Sequence, residues 1–457
     1  MKTEFSFSRG KSHDLFSVTA AATKMLPLVL LILPVLAQAE DFTYVMNDNK
    51  SITITGYNGS RTEVSVPRTV HGLLVTGIRG WAGVHRYGGT NIFWHTGFTN
   101  SAKLTRVTIP ESVTTIGAGA FSYCERLATI TIPKRLTNVG EQAFYDCTDL
   151  TNITIPNSVI HIGQYAFYGC RNLTDVKIPN SVTQLGEMAF GGCSNVTHAA
   201  IGKNLASLGD GVFYDCEKLT SVAIPNAVQS VGKHAFYQCY GLTKVIMSKT
   251  MTNIGDQAFR DCYSLTSCTI PDSVVHIGQY PFSGCGKLTN ATIPRNVTNI
   301  EMGAFYRCAN LTYVTIPRNV AIVGQNAFGG CTNLTSVVIG TNVVIIESSA
   351  FEDCTRLTTV TIPNRVLIIN WLAFAGCSSL VNLTVGSGVE TIGNRVFAGC
   401  SSLTAVYFRG NAPRLGLQVF HGDNQTTVYY LPGTTGWGPT FGDRPTAVYS
   451  PSRAPAP

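Results

Sequence analysis

Apolar and polar positions recur along this chain with a period of 23 residues. Counting from a phenylalanine in each unit, leucine stands at position +6, isoleucine or valine at +9 and +11, and proline at +12 in most units. Such a period is typical of a repeat solenoid, whose stacked coils bury a core that no single coil could bury. Fifteen phenylalanines keep the period without a slip, and we call them the ruler phenylalanines: Phe98, Phe121, Phe144, Phe167, Phe190, Phe213, Phe236, Phe259, Phe282, Phe305, Phe328, Phe351, Phe374, Phe397 and Phe420.

Each unit contains two short extended segments. The first, L-x-x-I-x-I-P, predicts a strand with isoleucines inward and threonine outward, and the proline ends it because it has no N–H for the ladder. The second, V-x-x-I-G, predicts a shorter extended piece followed by a glycine turn. The A-F-x-x-C segment predicts one helical or 3₁₀ turn that places the phenylalanine in the interior. We therefore expect a β-rich solenoid of short parallel strands and short helical or 3₁₀ turns, forming a single elongated domain with caps.

The units at the N-terminal end depart from the period, because a repeat core must be closed there. The stretch DFTYVMNDNKSITITGYNG predicts a hairpin, TEVSVPRTV predicts a first coil, and about 20 residues are inserted between Pro67 and Pro110. We expect residues 40–100 to form an N-terminal cap with an inserted aromatic loop, and residues 101–431 to form the solenoid of 23-residue units.

The C-terminal end departs as well. In FRGNAPRLGLQVF we expect the second extended piece to be absent, and TVYYLP supplies one last strand. Asp423 stands where other units have a cysteine. Residues 432–457 are predicted to form a C-terminal cap around Trp437 and then a disordered, proline-rich tail.

The composition supports a β-rich protein and excludes several functions. Charged residues make up 13% of the chain, while glycine, threonine, serine and asparagine are abundant, which disfavours long helices. The net charge of +7 is mild for this length, and no stretch contains the five or six clustered basic residues of a nucleic-acid site. We therefore expect no nucleic-acid partner.

The stretch KMLPLVLLILPVLAQAEDF resembles a secretory signal. It has Lys24, an apolar run over 26–37 and the small-residue pattern Ala37-Gln38-Ala39. We predict a signal peptide over 1–39 that is cleaved before Glu40, with an uncleaved anchor as the alternative. The run is shorter than the about 20 residues that a membrane helix needs, and no later segment is long enough. The mature chain is expected to be secreted or at the cell surface, without a transmembrane segment.

Cysteine follows the same period. In an exported protein cysteines usually indicate disulfides, but identical residues one coil apart lack the Cα separation and Cβ direction that a bridge requires. Metal sites need ligands that converge on one point, whereas these lie in a line. We therefore predict a buried structural thiol column and no cofactor or metal; Cys268 stands elsewhere, in place of an apolar core residue. The column occupies position +3: Cys124, Cys147, Cys170, Cys193, Cys216, Cys239, Cys262, Cys285, Cys308, Cys331, Cys354, Cys377 and Cys400.

These columns resemble the BspA-like leucine-rich repeats, whose units follow L-x-x-I-x-I-P-x-x-V-x-x-I-G-x-x-A-F-x-x-C. The resemblance extends from about Asp41 to Pro432. It implies a leucine-rich-repeat fold and a secreted or surface protein, of the kind found in bacteria and some protists. Members of the family bind host or neighbour proteins and are not known as enzymes.

Candidate binding residues lie where the period is interrupted or charged. The chain contains no zinc-protease, serine-hydrolase, P-loop or dinucleotide motif, so we assign no catalytic residue. The insertion GIRGWAGVHRYGGTNIFWHTGF supplies possible partner-binding residues, because tryptophan and tyrosine are frequent anchors, although capping explains them too: Trp81, His85, Tyr87, Phe93 and Trp94. A basic row after the proline column indicates either a solvated turn or a patch that steers an acidic partner: Lys134, Arg135, Lys203, Lys249, Arg295, Arg318 and Arg365.

Two functions follow from these patterns. The first is an exported, non-enzymatic protein that binds an extracellular protein or glycoconjugate in adhesion or recognition, as the family resemblance implies. The alternative is a structural surface or spacer protein with no specific ligand. Near-uniform surface columns favour the spacer, whereas the aromatic insertion favours recognition.

Overall fold

A computed structural model describes residues 39–87, 90–98 and 101–450, and within 81–96 it describes the backbone alone. These residues form a parallel β-solenoid of about 16 turns with almost no helix. The solenoid and its short parallel strands confirm the predicted fold class. The predicted signal peptide lies outside the described residues except for Ala39, and so do residues 451–457 of the predicted C-terminal cap and tail.

The first extended segment of each coil forms the strands that we call sheet 1. They occupy positions +8 to +10 in most coils and pair in parallel at an offset of 23 residues, as Ser221 pairs with Lys244. The exception to parallel pairing is Thr440–Phe441 in the C-terminal cap, which pairs antiparallel with Arg444–Val448. One group of three strands lies at the N-terminal end: Glu63–Ser65, Arg106–Thr108 and Thr129–Thr131. A group of fourteen follows: Asp175–Lys177, His198–Ala200, Ser221–Ala223, Lys244–Ile246, Ser267–Cys268, Asn290–Ala291, Tyr313–Thr315, Ser336–Val338, Thr359–Ile362, Asn382–Val385, Ala405–Phe408, Thr427–Tyr430, Arg444–Val448 and Thr440–Phe441.

The second extended segment forms two-residue strands at positions +17 and +18, which we call sheet 2. These strands also pair in parallel, and the residue at +18 points into the core in nearly every coil. Sheet 2 is interrupted twice along the solenoid. Its strands are Thr115–Ile116, Asn138–Val139, His161–Ile162, Gln184–Leu185, Ser207–Leu208, Ser230–Val231, Asn253–Ile254, His276–Ile277, Asn299–Ile300, Ile322–Val323, Ile345–Ile346, Ile368–Ile369, Thr391–Ile392 and Arg414–Leu415.

The predicted helical or 3₁₀ turn at A-F-x-x-C is wrong. From the Phe121 coil to the Phe420 coil, the residues at positions −2 and +2 have positive φ, such as Gln142 at 53° and Asp146 at 52°. A left-handed residue cannot continue a right-handed helical turn. The segment instead alternates turn bonds within a coil with bonds between coils. The Cys147 N–H donates to the Phe144 carbonyl oxygen of its own turn at 3.3 Å, whereas the Phe144 N–H donates to the Ala166 carbonyl oxygen of the next coil at 2.7 Å. Among the described residues the only 3₁₀ helix is Ala39–Asp41.

The core is a set of stacked columns. The fifteen ruler phenylalanines form one continuous pile, with ring centroids of successive residues 4.9 to 5.9 Å apart. All fifteen side chains are almost completely buried. Leucine at +6 and cysteine at +3 are buried beside them. Because each coil contacts only its neighbours, this one-dimensional core stabilises the stack coil by coil.

The N-terminal end is closed by the hairpin that its alternation predicts. Phe42–Met46 pairs antiparallel with Ile52–Tyr57, and Phe42 and Tyr57 pack on Phe98, the first ring of the pile, at centroid distances of 6.2 and 5.9 Å. Leu73–Ile78 pairs in parallel with the hairpin and with the first strand of sheet 2, and antiparallel with Thr69–Val70. The hairpin therefore covers the apolar ring that would otherwise face water.

The C-terminal end corrects two expectations. The unit FRGNAPRLGLQVF keeps its second extended piece, since Arg414–Leu415 pairs in parallel with Thr391–Ile392. Leu415 stands in register with Ile392, so the apolar residue at +18 keeps the strand in place although position +12 of this unit is Arg409 instead of proline. Nor is TVYYLP the last strand: Arg444–Val448 pairs with it in parallel. Trp437 stacks on Tyr430 at 5.0 Å and packs on Phe408.

Candidate binding face

The outward side of sheet 1 is the face that the coils leave available to a partner. In its strands the residue at +9 is buried in most coils, whereas those at +8 and +10 are mostly exposed. From Ser267–Cys268 to Thr427–Tyr430 these strands contain no charged residue. The C-terminal half of the face is therefore built of hydroxyl, amide and aromatic groups together with a few aliphatic side chains.

Tyr313 forms one wall of a cleft on this face. Its side chain stands at +8, is 48% exposed, and its hydroxyl accepts a hydrogen bond from Thr315 Oγ1 at 2.7 Å. The cleft has a volume of about 810 Å³ and lies between the Tyr313 coil and the preceding coil, which contributes Asn290 and Thr292. The bond to Thr315 holds the ring along its own strand. The cleft therefore presents a fixed aromatic ring among polar side chains.

The edge of the cleft carries two arginines, Arg295 and Arg318, of which only Arg295 forms an ion pair among the described residues. Arg295 donates to the Asp272 carboxylate through its Nη2 at 2.6 Å, its Nε at 3.1 Å and its backbone N–H at 3.3 Å. These hydrogen bonds hold the pKa of the Asp272 carboxyl below its ordinary value, and the bonds from the Arg295 side chain contribute more than the bond from its backbone N–H. Arg318, one coil further on, is exposed and forms no ion pair with any carboxylate that the structure describes. Its charge is therefore available to a ligand.

The predicted basic row does not act as one uniform surface. In its N-terminal part the polar residue at +13 accepts a hydrogen bond from the backbone of the next coil: the Lys134 N–H donates to Glu111 and the Lys203 N–H to Asn180. Carboxylate and amide side chains that share position +13 with the row thus stabilise the stacking of coils. The lysine and arginine side chains of the row extend from these backbone bonds into solvent.

The aromatic insertion forms a second antiparallel hairpin. Its strands are Trp81–Tyr87 and Thr90–Thr96, and Trp81 pairs with Thr96. The other candidate residues lie on the same hairpin: His85 pairs with Ile92, Val84 with Phe93 and Gly83 with Trp94, while Tyr87 pairs with Thr90. The side chains over 81–96 lie outside what the structure describes, so their role in binding stays a prediction.

The cysteine column lies inside the coils, where no partner reaches it. All fourteen cysteines are free and buried. Each of the thirteen at +3 donates its thiol proton to the carbonyl oxygen of the ruler phenylalanine 26 residues earlier, at Sγ–O distances of 2.9 to 3.3 Å. Burial raises the pKa of the Cys124 and Cys331 thiols to about 12. Because the thiolate is the reactive form, this column cannot serve as a set of nucleophiles at neutral pH.

Other kinds of site have little support in the described residues. In that part of the chain no three or more histidine, cysteine, aspartate or glutamate side chains converge as metal ligands. Over the same residues, no helix has both the length and the apolar character needed to cross a bilayer.

Sequence reasoning missed the cleft at Tyr313. The available signal was an interruption: position +8 holds a small polar residue in the flanking coils, Asn290 and Ser336, and an aromatic one at Tyr313. A second signal stood in the same unit, since Arg318 belongs to the basic row. Neither sequence signal shows that Tyr313 and Arg318 line one cleft, because the cleft depends on the curvature and width of the coil.

The fold and the face define a leucine-rich-repeat solenoid with a polar, partly aromatic outer sheet. The chain belongs to the BspA-type leucine-rich repeat family, since the family model "BspA type Leucine rich repeat region (6 copies)" matches residues 93–220, 206–335 and 322–435. This confirms the resemblance that the repeat columns indicate. A comparison with curated proteins found no match.

Two solved bacterial structures are similar to the chain. A leucine-rich repeat protein from Bacteroides ovatus ATCC 8483 is 25% identical, with 90% of this chain and 98% of that one covered and a TM-score of 0.68. A leucine rich cell surface protein from Faecalibacterium prausnitzii A2-165 is 26% identical, with 83% and 96% covered and a TM-score of 0.51. The fold is thus shared with bacterial leucine-rich repeat proteins, one of which is a cell-surface protein.

Proposed function

We propose that the chain is exported and binds an extracellular protein or glycoconjugate at the cell surface, in adhesion or recognition, without catalysing a reaction. The observation that carries this proposal is the cleft at Tyr313 on the outward side of sheet 1. Solenoids use such long repeated faces as binding surfaces. The similarity to a bacterial cell-surface protein supports the location.

The physical argument for binding depends on which exposed side chains make no hydrogen bond to a neighbouring coil. Threonines at +7 donate to the carbonyl of the matching residue one coil earlier, as Thr220 Oγ1 does to Thr197 at 3.0 Å. Tyr313 and Arg318 make no such bond to a neighbouring coil among the contacts that the structure describes. An exposed aromatic ring beside an unpaired cation fits recognition better than it fits stacking.

The inserted hairpin is proposed as a second contact region. Trp81, His85, Tyr87, Phe93 and Trp94 are concentrated in one short excursion from the repeat. Tryptophan and tyrosine supply large contact areas at low conformational cost and are enriched among residues that dominate binding. The hairpin adds no strand to sheet 1 or sheet 2, so the stacking of the coils does not depend on its strands.

Export is proposed from the signal segment over 1–39. Expression of the full chain in a host with a secretory pathway, followed by N-terminal sequencing of the protein in the medium, tests this. We expect the first residue to be Glu40. A full-length chain held in the membrane fraction would instead favour the uncleaved anchor.

A structural spacer is the second candidate. The observation that favours it is the regular bonding between coils, in which outward asparagines form amide ladders, as Asn333 does with Asn310 at 3.0 Å. Such a surface needs no ligand to explain it. The spacer and the binding protein predict different results in one experiment.

That experiment is a pull-down from surface extracts of cells that share the protein's environment. The baits are the wild-type chain, a Trp81→Ala/Trp94→Ala double variant and a Tyr313→Ala variant. We expect a partner that is captured by the wild type and lost from at least one variant. Equal capture by all three removes both regions from the proposal, and capture of nothing by the wild type favours the spacer.

A further inference from the structure

We propose that the C-terminal half of the sheet 1 face binds an extended polysaccharide that carries uronic carboxylates. The inference rests on the proposed binding function and names its ligand class. The site consists of the uncharged strands from Ser267–Cys268 to Thr427–Tyr430, with Tyr313 as the aromatic platform and Arg318, Arg365 and Arg409 as the anion contacts.

Charge is segregated across the coils of this half. Three arginines stand exposed on the edge that follows the strands: Arg318 at +13, Arg365 at +14 and Arg409 at +12. No carboxylate in the described residues forms an ion pair with any of them. Arg365 donates only to the neutral amide of Asn342, at 3.3 Å. The opposite edge carries two more exposed cations, Lys287 and Arg356.

The acidic residues of the same coils lie elsewhere. They belong to the turn around the ruler phenylalanine or to the ends of sheet 2 strands, with one exception, Asp272, whose charge Arg295 neutralises. The face therefore has basic edges and no opposing charge of its own, which attracts a polyanion. The acidic residues outside the face are Asp261, Glu301, Glu347, Glu352, Asp353, Glu390 and Asp423.

The spacing of the three arginines fits a regular polymer. Arg318, Arg365 and Arg409 follow the strands Tyr313–Thr315, Thr359–Ile362 and Ala405–Phe408, which alternate with the intervening strands of sheet 1. Neighbouring strands lie about 4.8 Å apart, so the cations recur at about 10 Å. An extended chain of sugar rings with a carboxylate on every ring or on every second ring can meet this repeat.

The chemistry between the arginines favours sugars over an acidic peptide. A protein partner usually buries an apolar centre, whereas this face offers mostly hydroxyl and amide groups at +8 and +10, such as Asn290, Thr292 and Asn382. These groups match the hydroxyls of a polysaccharide. The exposed ring of Tyr313 supplies an apolar surface of the size of one sugar ring.

The test measures binding of the full chain to polygalacturonate and to hyaluronan, with neutral dextran and poly-glutamate as comparison polymers. Affinity is determined by biolayer interferometry at low and at physiological ionic strength. Four proteins are compared: the wild type, Tyr313→Ala, Arg318→Gln/Arg365→Gln, and Lys134→Gln/Arg135→Gln. Lys134→Gln/Arg135→Gln is the matched control for the arginine pair, because it removes the same charge from positions +13 and +14 of an N-terminal coil.

We expect the wild type to bind at least one uronate polymer more tightly than dextran and poly-glutamate, and to bind more weakly as salt screens the charges. Arg318→Gln/Arg365→Gln loses about tenfold or more in affinity, since hydrogen bonds to charged groups are removed. The control pair changes affinity by about twofold or less, because it lies outside the site. Tyr313→Ala loses about fivefold through its ring.

Three results would overturn the inference: no binding to either uronate polymer, equal or tighter binding of poly-glutamate, or an equal loss in the control pair. If the wild type captures a partner in the pull-down but binds no uronate polymer, the proposed binding function stands and this inference alone fails. Unchanged thermal unfolding of both double variants excludes misfolding as the cause of a loss.

Discussion

Asp423 interrupts the cysteine column at its C-terminal end, and replacing it with asparagine is predicted to stabilise the protein in a pH-dependent way. The side chain is fully buried, and neither carboxyl oxygen has a well-placed hydrogen-bond partner among the described residues. In the preceding coils the thiol at this position donates to a phenylalanine carbonyl, as Cys400 does to Phe374 at 3.3 Å. An ionised carboxylate has no proton to donate in that way.

Burial raises the pKa of Asp423 to about 7, although the Arg444 charge and the nearby Cys400 N–H oppose the rise. In the unfolded chain the pKa is near its ordinary value of 3.8. Between these two values the folded state holds a proton that the unfolded state has lost, so the free energy of unfolding falls as pH rises from about 4 to about 7. Below this window the effect vanishes, and above it the cost is complete.

The size of the cost follows from the same pKa values. At 1.36 kcal/mol for each pH unit, the full difference corresponds to about 4 kcal/mol. Solvent near the last coil screens part of this interaction, which lowers our expectation to about 2 kcal/mol. Asp423→Asn removes the titration while keeping the shape. It should match the wild type near pH 4 and be more stable by about 2 kcal/mol near pH 8.

Hydrogen exchange measures the effect where it acts, because a solenoid opens locally from its ends. Peptides that contain Thr427–Tyr430 and Arg444–Val448 are compared between variant and wild type at each pH. Asp443→Asn is the control, since Asp443 is exposed in the same cap. Equal protection of wild type and Asp423→Asn near pH 8, or the same pH-dependent gain in the control, would refute the account of Asp423.

Two further predictions concern the backbone and the thiols. Gly399 has a φ of 77°, and a Cβ added there would meet only ordinary contacts. Gly399→Ala is therefore expected to lower the free energy of unfolding in urea by about 1–2 kcal/mol through the backbone conformation alone. The control Gly286→Ala, with an ordinary φ and open space around the added Cβ, should leave it unchanged, and equal losses in both variants would contradict the role of the left-handed turn. All fourteen cysteines are buried and free, so a thiol reagent near pH 8 should label none of them in the folded protein and all of them after unfolding. Loss of free thiols in the absence of reductant would contradict the column.

The columns of the solenoid could be predicted from the sequence because each is a physical requirement of every coil. Phe144 must pile on Phe121 and Phe167, and Ile at +9 and +11 must face inward, so the same residue types return at the same positions. The position of the strands and their register follow from this repetition. Repetition thus carries information about stacking.

The turn around the ruler phenylalanine could not be predicted, because its constraint leaves little trace in the sequence. The left-handed residue at −2 is Gln142 in one coil, Tyr165 in the next and Met188 in the next. Neighbouring coils bond to one another on both sides of the turn, as the Phe144 N–H does to Ala166 at 2.7 Å. These bonds hold residues in a conformation that their side chains do not favour. Bonding between coils therefore overrides local preference.

The same distinction indicates where recognition is encoded. A side chain that bonds to the preceding coil, like Thr220 at +7, is constrained in type because a change would break that bond. A side chain that projects from sheet 1 at +8 or +10 is released from that requirement, and these positions do vary, from Lys244 to Tyr313 to Asn382. A ligand can therefore select residues there without disturbing the stack. Substitutions at +8 and +10 should change binding far more than stability, and those at +3, +6 and +7 should do the reverse.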